Sequence, residues 1–238
     1  MRATVRQFMV AFMFMNAGLE AESEGHAESM DRIYRSQRHV YDVTRAYYLL
    51  GRDGLLDDLD LKSGETVLEI GCGTGRNLVG AAKRYPQARL YGLDISREML
   101  QSAGSALQRA SAESRVRLAV ADAAKFDPAP LFGAAQFDCV YFSYTLSMIP
   151  DWRAAIAQAV QVLKPGGRLH IVDFGGCDGL PQLFKSGLRV WLAKFQVSPR
   201  EGLEAELRET AARAGAQLKV TPPYRGYAVQ ARLILPPM

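Results

Sequence analysis

The 238-residue chain has few of the features that would mark out several protein classes. Its longest apolar stretches fall well short of the roughly 18 residues a membrane-spanning helix needs. It has three cysteines, Cys72, Cys139 and Cys177, and no two of them have metal-ligand spacing. That argues for free thiols in a reducing compartment, and against a disulfide scaffold or a zinc site. The net charge is only +4, with no dense basic run and no RNA-binding motif, so a nucleic-acid partner is not expected. Internal repeats and low-complexity linkers are also missing. What remains is ordinary for one large globular domain: 48% hydrophobic and 23% charged residues.

Residues 1–29 differ from the rest. Arg2 and Arg6 precede the apolar run "FMVAFMFM", and an acidic stretch follows. The arrangement resembles a weak signal peptide with a poor cleavage site. A flexible extension, or a start codon assigned upstream of Met30, accounts for it as well. The expected domain is therefore 30–238, with a helical lid over 30–60, a core over 65–175 and an amphipathic insertion over 179–196.

From residue 30 onward the pattern alternates. "MDRIYRSQRHVYDVTRAYYLLGRDGLLDDL" reads as one or two helices. "ETVLEI", "ARLYGLDI", "VRLAVADA", "FDCVYFSY" and "RLHIVDFG" read as strands, separated by helices over 76–84, 96–110 and 151–163. "AQLKV" and "YAVQARLIL" close the chain. Strand alternating with helix predicts a doubly wound, mostly parallel α/β sheet. In such sheets ligands bind at the carboxyl ends of the strands.

"EIGCGTGRN" lies between the first strand and its helix. A P-loop would need Gly-Lys-Ser/Thr, which is missing, and a dinucleotide fingerprint would place its third glycine one residue later. Gly71, Gly73 and Gly75 instead suit a nucleoside without a pyrophosphate. Asp94 ends the second strand, where a carboxylate can accept both ribose hydroxyls. Asp122 ends the third, where one can accept from an adenine amine.

These motifs resemble the class I S-adenosylmethionine-dependent methyltransferases. "EIGCGTG", "LDIS", "ADAA" and "VLKPGGRLHIVDF" match that family's motifs in order over about residues 65–175. The resemblance implies a seven-stranded Rossmann-like sheet, with S-adenosylmethionine as cofactor and S-adenosylhomocysteine as product. It implies cofactor contacts from Glu69, Gly71, Gly73, Thr74, Gly75 and Asn77, from Asp94, Ile95 and Met99, and from Asp122, Ala123 and Ser143. The amides near Thr74 and Gly75 would favour the cofactor carboxylate. No metal is implied.

Methyl transfer mainly requires alignment, so the acceptor is less legible. "SYTLS" after the fourth strand is not the Asp/Asn-Pro-Pro-Tyr of amide and adenine N-methyltransferases. Tyr34, Arg38, Tyr41, Arg45 and Tyr48 form one helical stripe, which suits either a lid over a zwitterion or a solvated face. Leu180, Leu183, Phe184, Leu188, Trp191, Leu192 and Phe195 form another, beside Lys185, Arg189 and Lys194. That helix reads either as membrane-surface binding or as a packed lid. The next helix, "SPREGLEAELRETAARAGA", is expected to start at Ser198 as N-cap, with Glu201 closing a capping box.

"QRHVYDVTRAYYLLGRD", "GCGTGRN", "YTLSMIPDW" and "YRGY" together resemble the bacterial diacylglyceryl-homoserine N-methyltransferases of betaine-lipid synthesis. That likeness implies a lipid amine as acceptor and a cytoplasmic enzyme at the inner face of the membrane, in contact with the enzyme that makes the homoserine lipid. Tyr34, Tyr41 or Tyr144 would aim the amine. Arg45, Tyr48, Met148, Tyr224, Arg225 and Tyr227 would line the acceptor pocket. A methyltransferase for another small hydrophobic acceptor, such as a quinone or a phospholipid amine, is the alternative.

Overall fold

The computed structural model describes residues 48–237. The chain divides into two units at Leu50/Gly51. Of the first unit only residues 48–50 are described, and Tyr48 and Leu49 are buried. Tyr34, Tyr41 and Arg45, with most of the expected lid, lie outside the described residues.

The second unit is built on seven strands: β1 (Thr66–Ile70), β2 (Arg89–Asp94), β3 (Val116–Val120), β4 (Phe137–Ser143), β5 (Leu163–Phe174), β6 (Gln217–Thr221) and β7 (Ala228–Ile234). The helices are α1 (Arg52–Asp58), α2 (Arg76–Arg84), α3 (Arg97–Arg109), α4 (Pro128–Phe132), α5 (Trp152–Gln161), α6 (Gln182–Ala193) and α7 (Leu203–Ala214). The sheet order is β3-β2-β1-β4-β5-β7-β6. Five strands run parallel, and β7 is antiparallel to both β5 and β6. The strand order reverses between β1 and β4, so ligands are expected beyond the carboxyl ends of those two strands.

Burial follows from position in the sheet. Every residue of β1 is buried, and all of β4 except Asp138, as strands covered on both faces require. Edge strand β6 alternates between exposed and half-buried residues instead. Trp152, Ile156, Leu203 and Leu207 bring α5 and α7 onto one face of the sheet, against Leu163, Leu169 and Leu233. At the amino end of the sheet Arg168 is a structural latch. It donates to the Leu59 and Asp60 carbonyls and grips Glu65 through two bonds, at 2.6 and 3.2 Å.

One sequence expectation needs correction. The helix after α6 does not begin at Ser198. The Ser198 amide donates to the Ser147 carbonyl (2.9 Å), and α7 starts behind Gly202, whose left-handed φ of 87° turns the chain into it. The stripe on the inserted helix is part covered and part exposed. Leu188 and Leu192 are buried, and Trp191 packs edge-on against Phe195. Leu183 points outward and is 88% exposed, beside Val190 at 66%. No helix among the described residues is long and apolar enough to cross a membrane.

Candidate active site

The glycine loop leaves β1 and crosses to β2, with the Gly71 and Cys72 amides donating to the Leu93 carbonyl. Gly71 has a φ of 74°, and a Cβ there would come within 2.0 Å of Thr145 Cγ2. The loop therefore needs glycine twice over at this position, for conformation and for space. Gly73 also has positive φ, at 53°, but a side chain there would meet no protein atom within 4 Å. The protein does not fill the space this residue faces, as expected of a backbone that a ligand approaches closely. Gly75 then caps α2 in the left-handed conformation and leaves the first amides of the helix beside Thr74.

Asp94 stands at the next strand end. One carboxylate oxygen accepts from the Gly73 amide (2.8 Å) and the other from the Ser96 amide (2.9 Å). Ser96 caps α3 by accepting from the Met99 amide, which fixes Ile95 and Met99 beside Asp94. The Ala121 amide donates to the Asp94 carbonyl, which draws the end of β3 alongside. Asp122 is exposed there, its carboxylate accepting from the Ala124 amide (2.9 Å), with buried Ala123 next to it. The structure thus brings the glycines, Asp94, Ile95, Met99, Asp122 and Ala123 to one rim.

Glu69 and Asn77 sit behind that rim. Glu69 is 1% exposed and accepts from Asn77 Nδ2 (2.7 Å) and from the Tyr141 hydroxyl (3.0 Å). Burial raises its pKa to about 8, against the lowering effect of those two bonds. The trio braces β1, α2 and β4 against one another beneath the loop.

On the other side of β4 the chain is under strain. Tyr144 follows Ser143 with a φ of 57°, in the left-handed region that bulky residues avoid. It is 4% exposed and packs edge-on against Phe174, which packs in turn on Tyr227. Burial pushes its hydroxyl well above the ordinary tyrosine range, and Tyr227, Asp173, Tyr224 and Cys177 are close enough to act on it in the same direction. The Ser143 hydroxyl is buried with no hydrogen-bond partner among the described residues. Met148 is half-buried farther along the same loop.

The loops after β5 and before β7 close against each other. The amides of Gly175, Cys177 and Gly179 donate to the carbonyls of Tyr227, Gly226 and Arg225, at 2.9, 2.7 and 3.1 Å. Cys177, Tyr224 and Arg225 all carry positive φ. Tyr224 is 48% exposed, whereas Tyr227 is fully buried and belongs to the aromatic stack rather than to an open surface. The Arg225 side chain is exposed.

Sequence reasoning missed Thr145, Tyr141, Asp173 and Arg200. Asp173 did leave a signal, as a carboxylate inside an otherwise apolar strand. It is fully buried, and burial raises its pKa to about 6. Arg200 left none, because its partners are the distant carbonyls of Leu146 and Ile149.

Residues 67–167 match the family model for a methyltransferase domain. The fold is the Rossmann-like fold of the S-adenosylmethionine-dependent methyltransferases, with the seven-stranded sheet expected of it. Among particular relatives, the chain is 34% identical over 180 residues to nocamycin O-methyltransferase of Saccharothrix syringae, covering 74% of this chain and 62% of that one. It is 38% identical over 110 residues to the O-methyltransferase cnsE of Penicillium expansum, covering 46% and 38%. The chain therefore spans about two-fifths to three-fifths of the length of these relatives. Phosphoethanolamine N-methyltransferase 2 of Haemonchus contortus, solved with S-adenosyl-L-methionine, superposes with a TM-score of 0.67 at 19% identity, over 92% of this chain and 62% of that one.

Proposed function

We propose that this protein is an S-adenosylmethionine-dependent methyltransferase, and that its acceptor is the amine of a homoserine head group carried on diacylglycerol. The observation that carries the first part is the rim formed by Gly73 and Asp94: an open backbone approach beside a carboxylate already oriented by two amides. Asp94 would hold the ribose, Asp122 and Ala123 the adenine edge, Ile95 and Met99 its faces, and the amides opening α2 the carboxylate; the Gly75 amide, expected from the sequence to share in this, instead donates to the Cys72 carbonyl (3.0 Å). The Ser143 hydroxyl, without a hydrogen-bond partner among the described residues, suits a polar group of the cofactor. When bound, the cofactor supplies an activated methyl group on its sulfonium.

The protein's own task is then to present a neutral amine in line with that methyl. A primary amine has a reference pKa near that of lysine, about 10. Removal from water beside Tyr144 and Tyr224 would lower it and leave a free lone pair. The Tyr144 hydroxyl stays protonated well past neutral pH and can accept a hydrogen bond from the amine N–H, which aims the lone pair. Arg225 would pair the head-group carboxylate. Each successive methylation moves the nitrogen toward a fixed cation, which tyrosine faces stabilise by about 0.5–2 kcal/mol. The acyl chains would hold the enzyme at the inner face of the membrane, beside the enzyme that makes the homoserine lipid.

A second reading is favoured by a specific observation: both curated relatives above are named O-methyltransferases. An oxygen acceptor on a small hydrophobic molecule, such as a quinone precursor, would use the same donor rim without Arg225. A product assay separates the two. The protein is incubated with methyl-labelled cofactor and, in parallel, with diacylglyceryl homoserine, phosphatidylethanolamine and quinone precursors. Label in a trimethylated homoserine lipid is expected. Label only in a quinone product would replace the lipid reading with the second one.

A further inference from the structure

The loop after β4 touches both halves of the site. Thr145 Oγ1 donates toward the Gly71 carbonyl (3.2 Å), and its methyl lies where a Gly71 side chain would be. Tyr144 immediately precedes it, and Leu146 and Ser147 are fully buried. The position of this loop therefore sets the distance between the donor loop and the Tyr144 hydroxyl.

Only part of the loop holds itself. The Met148 and Ile149 amides return to the Thr145 carbonyl, at 2.9 and 3.2 Å. The other anchors come from two distant segments. Asp173, near the end of β5, accepts from the Ser147 amide at 3.1 Å and from the Phe174 amide at 2.7 Å. Arg200, between α6 and α7, donates from Nε to the Leu146 carbonyl (2.8 Å) and from a terminal nitrogen to the Ile149 carbonyl (2.6 Å). The Ser198 amide adds a bond to the Ser147 carbonyl. A guanidinium that bridges two carbonyls three residues apart fixes both the curvature and the place of the turn. A lysine could hold only one of them well.

We propose that Asp173 and Arg200 are positioning residues for methyl transfer, clamping the 144–149 loop so that Tyr144 and the donor loop keep one fixed separation. Neither needs to touch the acceptor. Burying the Asp173 carboxyl and half-burying the Arg200 guanidinium to hold backbone that a neutral hydrogen bond could hold is costly. A site that must be accurate to a fraction of an ångström gives that cost a purpose, since a misplacement of about 1 Å can slow a reaction on the order of 100-fold. For its catalytic readout the inference rests on the methyltransferase reading above.

The test uses the full chain and the variants Arg200→Leu, Arg200→Lys and Asp173→Asn. Hydrogen exchange is followed at the Ser147 amide and at amides of β1–β3, together with cofactor affinity and turnover. In Arg200→Leu the Ser147 amide is expected to exchange at least about 10-fold faster while β1–β3 stay protected. Turnover is expected to fall about 10- to 100-fold, with cofactor affinity changed by less than about threefold. Arg200→Lys should recover part of both losses, and Asp173→Asn should resemble a milder Arg200→Leu. Unchanged exchange and turnover in folded Arg200→Leu would overturn the proposal. So would equal loss of protection across the whole domain, which marks a merely structural role. If the wild-type protein methylates none of the acceptors, the functional reading fails, yet the exchange pattern still decides whether the clamp exists.

Discussion

Around the donor loop the left-handed turns fall to Gly71, Gly73 and Gly75. On the far side of β4 they fall to Gly226 but also to Tyr144, Cys177, Tyr224 and Arg225. Glycine adopts that conformation freely, whereas a residue with a side chain gives up about 1–2 kcal/mol. The donor side therefore approaches its ligand with backbone and relaxed geometry. The acceptor side keeps side chains at positions where glycine would be more stable. Strained side chains of this kind are a mark of sites where the side chain itself is required. Under the proposed function, the first half would bind the cofactor and the second would select the acceptor.

The largest effect is expected from Gly71→Ala, which forces a methyl into Thr145 and a left-handed φ on alanine. Thermal or denaturant unfolding should show a loss of about 3 kcal/mol, with cofactor binding abolished. A tolerated alanine would mean the two loops are not in register as described. Next comes Asp94→Ala, which leaves the Gly73 and Ser96 amides without their acceptor and removes the ribose contacts. Cofactor affinity should drop by about 1.4–2.8 kcal/mol, on the order of 10- to 100-fold by calorimetry.

Stability against pH probes the interior that the two halves share. Burial raises the Glu69 carboxyl from an ordinary 4.5 to about 8. Its folded pKa lies above its unfolded one, so its contribution is full below pH 4.5 and is lost as pH rises through about 8. His170 has the opposite sign. Burial, with Arg232 and Arg168 nearby, lowers it from 6.5 to about 3, so its contribution is present above pH 6.5 and is lost as pH falls toward 3. Urea unfolding from pH 4 to 9 should show Glu69→Gln flattening the alkaline decline and His170→Phe flattening the acid one. Curves that coincide with wild type would contradict these environments.

Smaller still is Tyr224→Gly, which relieves backbone strain at a half-exposed residue. Stability should be equal to wild type or up to about 1 kcal/mol higher, while acceptor KM rises and cofactor affinity holds. An unchanged KM would remove Tyr224 from the acceptor side. Least of all, Leu183→Ser combined with Val190→Ser should change stability by no more than about 0.5 kcal/mol. If α6 meets a bilayer, binding to anionic vesicles should weaken in the same double variant; undiminished binding would discard that face.

The same divide explains how much of the molecule could be read from its sequence. The donor rim is written locally: alternate glycines after one strand, and a carboxylate at each of the next two strand ends. Period and spacing are enough to place those residues, and the sheet around them follows from the alternation of strands and helices. Glu69 and Asn77 were also legible, but the structure puts them behind the loop as braces. The acceptor side depends on contacts between residues far apart in the chain. Ser147 meets Asp173, and Arg200 reaches back to Leu146. No local pattern announces a left-handed tyrosine. Ser198 shows the converse: its spacing imitates a helix cap, but its amide is taken by Ser147, so the helix starts later. On α6 periodicity named one stripe that holds both buried Leu188 and Leu192 and exposed Leu183, because a stripe of apolar residues does not say where the covering ends.

The most direct measurement is calorimetric titration of the full chain with S-adenosylmethionine, wild type alongside Asp94→Ala. Saturable binding at one site by the wild type, weakened on the order of 10- to 100-fold in the folded variant, is the expected result. A folded wild-type protein that binds no cofactor, or a variant that binds it equally well, would contradict the assignment of the Gly73–Asp94 rim as the donor site.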